Sequence, residues 1–453
     1  MTLATYIGRF VAELHPARLP PEVIEKAKVC LLNAYGMGLD CHDTPYAPVA
    51  RAAAIALDGE VENGATILGD GRRTTIGGAC LANAALFHGR AQEDTSGAAH
   101  FGTILVPLLT AMIEVRKYPL SELIPALVAG YEVGGLLEEA YAGQTTPAGF
   151  RSTATYGVVA AAASAARLMR LDAEKTAAAV SNAVSFTGGV LQSFADGTDE
   201  WRYQPGVVAR NGLVAAELAK AGSVSAPRAF EGKAGLAKAF ARVECDVERL
   251  SSQLGKTWFI HRVTFKPFPV CAFNQTPVTG ALALREEIGD AEIQNVRVRM
   301  NPYECGYAGM DSKGPFSTIS GTLMSIPFCI AVTLVHGIPN MRLMTTYDDP
   351  AVNGLVERIE LVPDSEVPIL SAVIEVKTVD GRQFMRDQRM TTEDYNYDRA
   401  TVSKLVRRIG NEQNVPQKAF DLIEQFVDKL PDSSLDDVLE SFRMVEPPRG
   451  GVR

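Results

Sequence analysis

From Pro21 to about Leu250 apolar residues return at helical spacing, in VIEKAKVCLLNAYGMGL, GGACLANAALFHGRA, LSELIPALVAGYEVGGLLEEA, GVVAAAASAARLMRL and GVVARNGLVAAELAKAG. That period commits the stretch to helices, and the alanines and glycines among the apolar positions let helix backbones come close. Ser121 followed by Glu122 reads as a capping signal for one of them. The N-terminal MTLATYIGRFVAELHP reads as a further amphipathic helix, because Arg9 and Glu13 lie inside it and it has neither the basic flank nor the apolar run of a signal peptide.

The texture changes at Lys266-Pro267-Phe268-Pro269. Beyond it NVRVRMNP (295 to 302), VERIELVPD (356 to 364) and SAVIEVKTVDGRQF (371 to 384) alternate apolar and polar residues, as half-buried strands do, and Asp380-Gly381 is a hairpin signal. TLMSIPFCIAVTLVHG between them reads as one buried helix. Helical spacing returns in YDRATVSKLVRRIG and QKAFDLIEQFVDKL, so the C-terminal tail is expected to rejoin the first domain.

With 453 residues and 47% apolar content the chain can fill two cores. A formal charge of -9 with scattered basic residues offers no footprint for a phosphate backbone, so nucleic acid is not expected as a partner. Seven cysteines without a CxxC pair point to reduced thiols in a cytoplasmic protein, and neither a zinc site nor a disulfide framework is legible. The run Phe101 to Val115 is too short to span a bilayer, and Pro107 and Glu114 interrupt it, so no membrane is expected. Gly69-Asp70-Gly71 lacks the later glycine of a dinucleotide loop, and neither GxxxxGK[ST] nor GxSxG occurs.

Against this background Asn83 to Pro107, NAALFHGRAQEDTSGAAHFGTILVP, gathers His88, Arg90, Gln92, Glu93, Asp94, Thr95, Ser96 and His100. The segment is similar to the NGxxxHxxDxDDTH pattern of the MmgE/PrpD family, with Asn83, His88, Asp94 and Thr95 in place, Glu93 as an acid and Ala91 where the first Asp stands. His100 resembles the histidine that follows, one residue closer. ADGTDEWRYQPG (195 to 206), PRAFEGKAGLAKAF (227 to 240) and FKPFPVC (265 to 271) resemble ADGxxxKRLHPG, PRxxxEGxxGxxxAF and KPYPxC, so the likeness runs through nearly the whole chain. Several positions depart from the pattern. Arg151 stands for a His, Trp201 for a Lys unless the pairing moves by one residue onto Arg202, Gln204 and Gln275 each for a His, and Phe328 for a frequent Tyr.

The family includes 2-methylcitrate dehydratase, cis-aconitate decarboxylase and iminodisuccinate epimerase. The resemblance therefore implies a mainly α protein, with an all-α domain of residues 1–265 and 402–453, an α+β lid of residues 266–401, a cleft between them, and a homodimer. The substrates it implies are small polycarboxylates.

Such acids need local cations, and Arg151, Arg202 and Lys266 are the candidates, with Gln204 and Gln275 beside them as substrate-binding amides. Lys266, His100, Asp94 and Thr95 are the candidate catalytic groups. His100 is the residue type that titrates near neutrality, and Lys266 can serve where desolvation leaves some neutral amine. The replaced His, Lys and Tyr positions remove acids that would protonate a departing hydroxide, which favours, among the activities the resemblance implies, a cofactor-independent epimerase of iminodisuccinate working by α-carbon proton abstraction and reprotonation. A dehydratase-like hydro-lyase or an aconitate-type decarboxylase is the alternative activity, and a carboxylate-binding protein without turnover is the alternative without chemistry. Asp94-Thr95 also suits the cap of the next helix. The spacing of Glu93, Asp94 and His100 fits no standard metal site and nothing supports a pyridoxal lysine, so no metal or cofactor is expected.

Overall fold

Helices with small residues on their faces can sink into one another, and the computed structural model, which describes residues 1–447, is built on such contacts. Within the helix Leu123–Thr145, an added Cβ at Gly134 would stand 2.7 Å from the Phe101 ring, and one at Gly130 would stand 2.3 Å from Ser164 Oγ. Any larger residue there would push the neighbour away. This helix is long and apolar enough to cross a membrane by composition, yet 83% of that apolar window is buried inside the protein. It is a core helix by burial.

The chain forms two compact units. Among the described residues the first comprises 1–189, 202–265 and 396–447, and the second 190–201 and 266–395. In the first, Pro21–Asp40 and Arg399–Glu412 pack closely enough that a Cβ at Gly36 would stand 2.5 Å from Val406. Of the tail expected over 402–453, residues 448–453 lie outside the described residues.

This unit is not all-α. Strands β1 (Ala65–Thr66) and β2 (Arg73–Thr74) pair antiparallel. The glycines that resembled a nucleotide loop form their turn, with Gly69 and Gly71 at φ +66° and +82° and Ile67 N donating to Arg72 O at 2.8 Å. Two residues per strand are too few for an alternation to register in sequence.

The second unit carries a four-stranded mixed sheet ordered β4-β3-β5-β6, from β3 (Ile293–Met300), β4 (Ile359–Pro363), β5 (Ser371–Thr378) and β6 (Gln383–Arg389). β3 runs parallel to β4 and antiparallel to β5, with Val298 opposite both Leu361 and Ile374. The hairpin falls at Asp380-Gly381, where Gly381 takes φ +88° and Thr378 N donates to Arg382 O.

Two local expectations change. TLMSIPFCIAVTLVHG is two helices, Ile319–Met324 and Ile326–His336, because Pro327 has no N–H to continue the first and Ser325 Oγ caps the second by accepting from Phe328 N at 3.0 Å. Ser121 does not cap a helix. It lies in the 3-10 turn Leu120–Glu122, and the third position of the following helix is Pro125, which has no N–H to offer a cap.

Buried carboxyls tie stability to pH. Burial pushes Glu132 up to about 8 and Glu138 up to about 7 from 4.5, against the opposing pull of backbone N–H donors at Ile260, Phe259 and Ala98. A raised carboxyl favours the fold while both states hold the proton. The unfolded chain ionises first, near 4.5, so this contribution is lost as pH rises from there through the folded values. Urea unfolding midpoints should therefore fall between about pH 5 and 8, with a slope of roughly 1 kcal/mol per pH unit for each such group. Glu138→Gln, which keeps an acceptor for Ala98 N, should flatten that slope. An unchanged slope would contradict the assignment.

Candidate functional site

The polar segment of the first unit sits between two helix ends. Helix Ile76–Phe87 stops at His88, and helix Gly102–Arg116 starts after His100. Between them the chain is fastened twice. Thr95 and Thr264 exchange backbone hydrogen bonds at 2.9 Å with their hydroxyls 2.6 Å apart, and Ser96 pairs with Ala99 across Gly97, which takes φ +59°. Glu138 holds the tip by accepting from Ala98 N at 2.9 Å. Ala91 takes a left-handed φ of 56°, a strained conformation for a residue with a Cβ, just ahead of Glu93. Burial is nearly complete, with His88 at 0% and Glu93 and Asp94 at 2% exposure.

His88 Nε2 lies 2.7 Å from Arg151 Nη2. A guanidinium only donates, so Nε2 is the acceptor and the proton of the neutral ring sits on Nδ1, which is 3.1 Å from Glu93 Oε2. His100 Nδ1 lies 2.9 Å from the Asp94 carbonyl and 3.4 Å from Glu93 Oε1. A carbonyl only accepts, so Nδ1 carries the proton there too, and Nε2 is the basic nitrogen of His100. The two rings stand 5.4 Å apart between centroids.

Arg151 is placed by the start of helix Ser152–Leu168, with its N–H donating to Gly189 O and its Nη1 to Gln204 Oε1 at 3.2 Å. At 1% exposure its charge is answered inside the protein by Glu93, with neutral His88 between them. Arg202 is fully buried, 3.8 Å above the Tyr46 ring, with Nε donating to Gly89 O at 3.4 Å, so it supports the turn after His88.

Asp94 sits at the start of the next helix. Its Oδ2 accepts from Tyr131 Oη at 2.5 Å, and a Cβ at Gly102 would stand 2.4 Å from Oδ1, so the glycine leaves room for the carboxylate at the helix start. Burial and the Asp94 charge hold the Tyr131 phenol well above its ordinary range, which keeps it a donor. Burial likewise pushes the neighbouring Cys30 thiol up to about 12, so it is not a thiolate nucleophile. Thr95 spends its hydroxyl on Thr264 as part of the loop staple.

Lys266 and Gln275 belong to the second unit, where Lys266 is 3% exposed. Gln275 braces the turn after Lys266: its Oε1 accepts from Phe268 N, and its Nε2 donates to Phe268 O and Val270 O at 3.0 Å each. Its amide is engaged by backbone, which takes it out of the expected substrate-binding set. Trp201 also serves the fold, donating to Ser320 Oγ at 3.1 Å beside Phe194, and Phe328 packs on Phe316. Among the described residues no group of three His, Cys, Asp or Glu side chains is gathered for a metal ion.

His88, Arg151, Gln204, Glu93, His100, Asp94 and Tyr131 thus form one connected polar set. Sequence reasoning named four of these as site residues and passed over His88, Glu93 and Tyr131. Glu93 was visible as an acid beside Asp94, whereas Tyr131 lies in an apolar helical run that gives no signal.

The residues around this set also align with known proteins. The MmgE/PrpD N-terminal domain model matches residues 5–246 and the MmgE/PrpD C-terminal domain model residues 268–432. A cis-aconitate decarboxylase-like protein, oryM, from Aspergillus oryzae is 27% identical over 382 residues, covering 79% of this chain and 79% of that protein.

The Tyr131–Asp94 contact gives a direct test. Tyr131→Phe removes one charge-assisted bond to a buried carboxylate and should cost about 1–3 kcal/mol of stability, read from denaturant midpoints. A variant as stable as the parent would show that the bond contributes nothing.

Proposed function

The chain belongs to the MmgE/PrpD family, and on that premise we propose that it is a cofactor-independent lyase of a small unsaturated polycarboxylate, most simply a decarboxylase of a cis-aconitate-like acid. The observation that carries this reading is His100, whose Nδ1 is fixed on the Asp94 carbonyl so that Nε2 is the proton-transfer atom, in the same polar set as the buried Arg151.

Decarboxylation asks little of a site. The bond to the leaving carboxyl breaks, and its electron pair becomes a new double bond. The old double bond's pair moves to the carbon beside a second carboxylate, and that carbon takes one proton. His100 first takes a proton from solvent onto Nε2 while its Nδ1–H stays on the Asp94 carbonyl, then delivers that Nε2 proton and returns to the neutral Nδ1–H ring; the 16% exposure of its side chain allows this exchange. Arg151 holds the carboxylate beside the carbon on which charge develops, and Gln204 keeps the guanidinium in plane.

Dehydration would need a further acid for the departing hydroxide, and epimerisation a second group on the opposite face. The sequence argument for an iminodisuccinate epimerase rests on replaced positions, and two of these, Gln275 and Trp201, are occupied in bracing the fold. The relative's name also points toward decarboxylation.

The experiment is incubation of the purified protein with cis-aconitate in heavy water, followed by NMR and CO2 release. The expected product has lost CO2 and gained one deuterium beside a carboxylate. Loss or addition of water with a methylcitrate-like acid would replace the reading by a hydro-lyase. Deuterium exchange without net change on iminodisuccinate would replace it by an epimerase, and thermal stabilisation without turnover by a binding protein. His100→Ala should lower kcat by about 10²–10⁴. Arg151→Lys should raise KM by roughly tenfold, because a point charge cannot reproduce the bidentate fork. Lys266→Met is measured alongside, and an unchanged kcat would confine the chemistry to groups of the first unit.

A further inference from the structure

One carboxylate in the polar set touches both imidazoles, and no catalytic step described so far uses it. Glu93 Oε2 is 3.1 Å from His88 Nδ1, and Oε1 is 3.4 Å from His100 Nδ1, charge contacts rather than aligned hydrogen bonds, so the carboxylate acts on both rings through its field. We propose that Glu93 is the positioning residue of this site: it holds both histidines as Nδ1–H tautomers, so that His88 presents its Nε2 lone pair to Arg151 and His100 keeps Nε2 as its basic nitrogen. The proposal deepens the lyase reading and rests on it for the roles of His100 and Arg151.

Three observations converge on it. The outer partners of the two rings agree with this tautomer, since Arg151 can only donate to His88 Nε2 and the Asp94 carbonyl can only accept from His100 Nδ1, and the Glu93 charge on the inner side adds to the same preference. A carboxylate is an acceptor on both oxygens, so it is the one side chain of this length that suits two Nδ1–H groups at once. An amide in its place would turn an NH2 toward one of the rings. Finally, Glu93 is 2% exposed, and across neutral His88 its charge balances a guanidinium that is 1% exposed, so each end answers the other's burial.

Loss of the charge should therefore act at two distances. At His100 the ring would keep its bond to the Asp94 carbonyl but lose the nearby negative charge. At His88 an Nε2–H tautomer becomes accessible, and that proton would meet the Arg151 Nη2 hydrogens head-on, displacing the guanidinium from its place beside Gln204. A residue far from the substrate carboxylate would then set how that carboxylate is held.

The test is long-range ¹H–¹⁵N NMR of the six imidazoles in the full-length protein, with the signals of His88 and His100 assigned by substitution, together with steady-state kinetics. In the wild type both rings should be Nδ1–H. In Glu93→Gln at least one should change tautomer, and kcat should fall about 10²-fold or more, as expected when a catalytic histidine loses the carboxylate that fixes its tautomer. A neutral Nε2–H tautomer of either ring in the wild type would overturn the proposal. So would a Glu93→Gln protein whose two tautomers are unchanged, whatever its activity, because a plain packing role predicts that result. Should Glu93→Gln fail to fold, Arg151→Met provides the second variant: the His88 signals should move while His100 stays Nδ1–H, and unmoved His88 signals would refute the relay. If the wild type turns over none of the polycarboxylates, the lyase reading fails alone, since the tautomers are read without substrate.

Discussion

A guanidinium buried to 1% exposure is the constraint around which the polar half of the first unit is arranged. Removing such a charge from water costs several kcal/mol unless hydrogen bonds and an opposite charge replace the lost solvation. Arg151 finds these in Gln204, in His88 and, one ring further, in Glu93. Each partner must then be delivered from a different part of the chain: His88 from a helix end, Glu93 from the loop after it, and Gln204 from the start of another helix. The loop staples follow from that demand, since a carboxylate that must reach two rings cannot sit on a loose segment. Thr95–Thr264, Ser96–Ala99 and Glu138–Ala98 remove the freedom that would let it drift.

The same constraint explains where small residues are needed beyond helix packing. Gly102 admits the Asp94 carboxylate at the first turn of its helix, where backbone N–H groups favour negative charge. Gly97 takes the left-handed turn that brings Ala99 back to Ser96. Tyr131 then fixes Asp94 from behind, so that its carbonyl, which orients His100, is held at both ends of the residue. Backbone geometry and proton placement are thus one problem at this site.

Sequence made the local elements legible where one period ran long enough. The alternation in 295 to 302 and 371 to 384 and the Asp380-Gly381 turn became β3, β5 and the hairpin to β6, while the two-residue ribbon at Ala65 and Thr74 was too short to alternate. The break at Ser325 was written in the sequence as a serine two residues before Pro327, but the apolar run around it hid the signal. At the site, the polar density of Asn83 to Pro107 stood out, and so did Arg151. The pairing did not, because the partners are far apart in sequence: His88 meets Arg151 63 residues on, and Asp94 meets Tyr131 37 residues on. Nothing local tells an amide that will face a ligand from one that will fold back on its own turn. Gln275 and Gln204 looked alike in sequence, yet one braces backbone and the other orients an arginine.

The charge arrangement also bears on how such a site can release what it binds. An uncompensated buried cation would hold a polycarboxylate in substrate and product alike, and uniform binding of that kind does not accelerate a chemical step. With Glu93 balancing Arg151 through a neutral ring, this pair contributes little net charge to the site, and under the proposed function a substrate carboxylate meets oriented donors rather than a bare positive charge. In the proposed lyase reaction, what such donors stabilise best is charge that gathers on the carbon beside the bound carboxylate, because they are already aimed and need not reorganise. A protein of formal charge -9 can in this way serve anionic substrates without a large basic patch, by placing a few buried donors well instead of many exposed cations nearby.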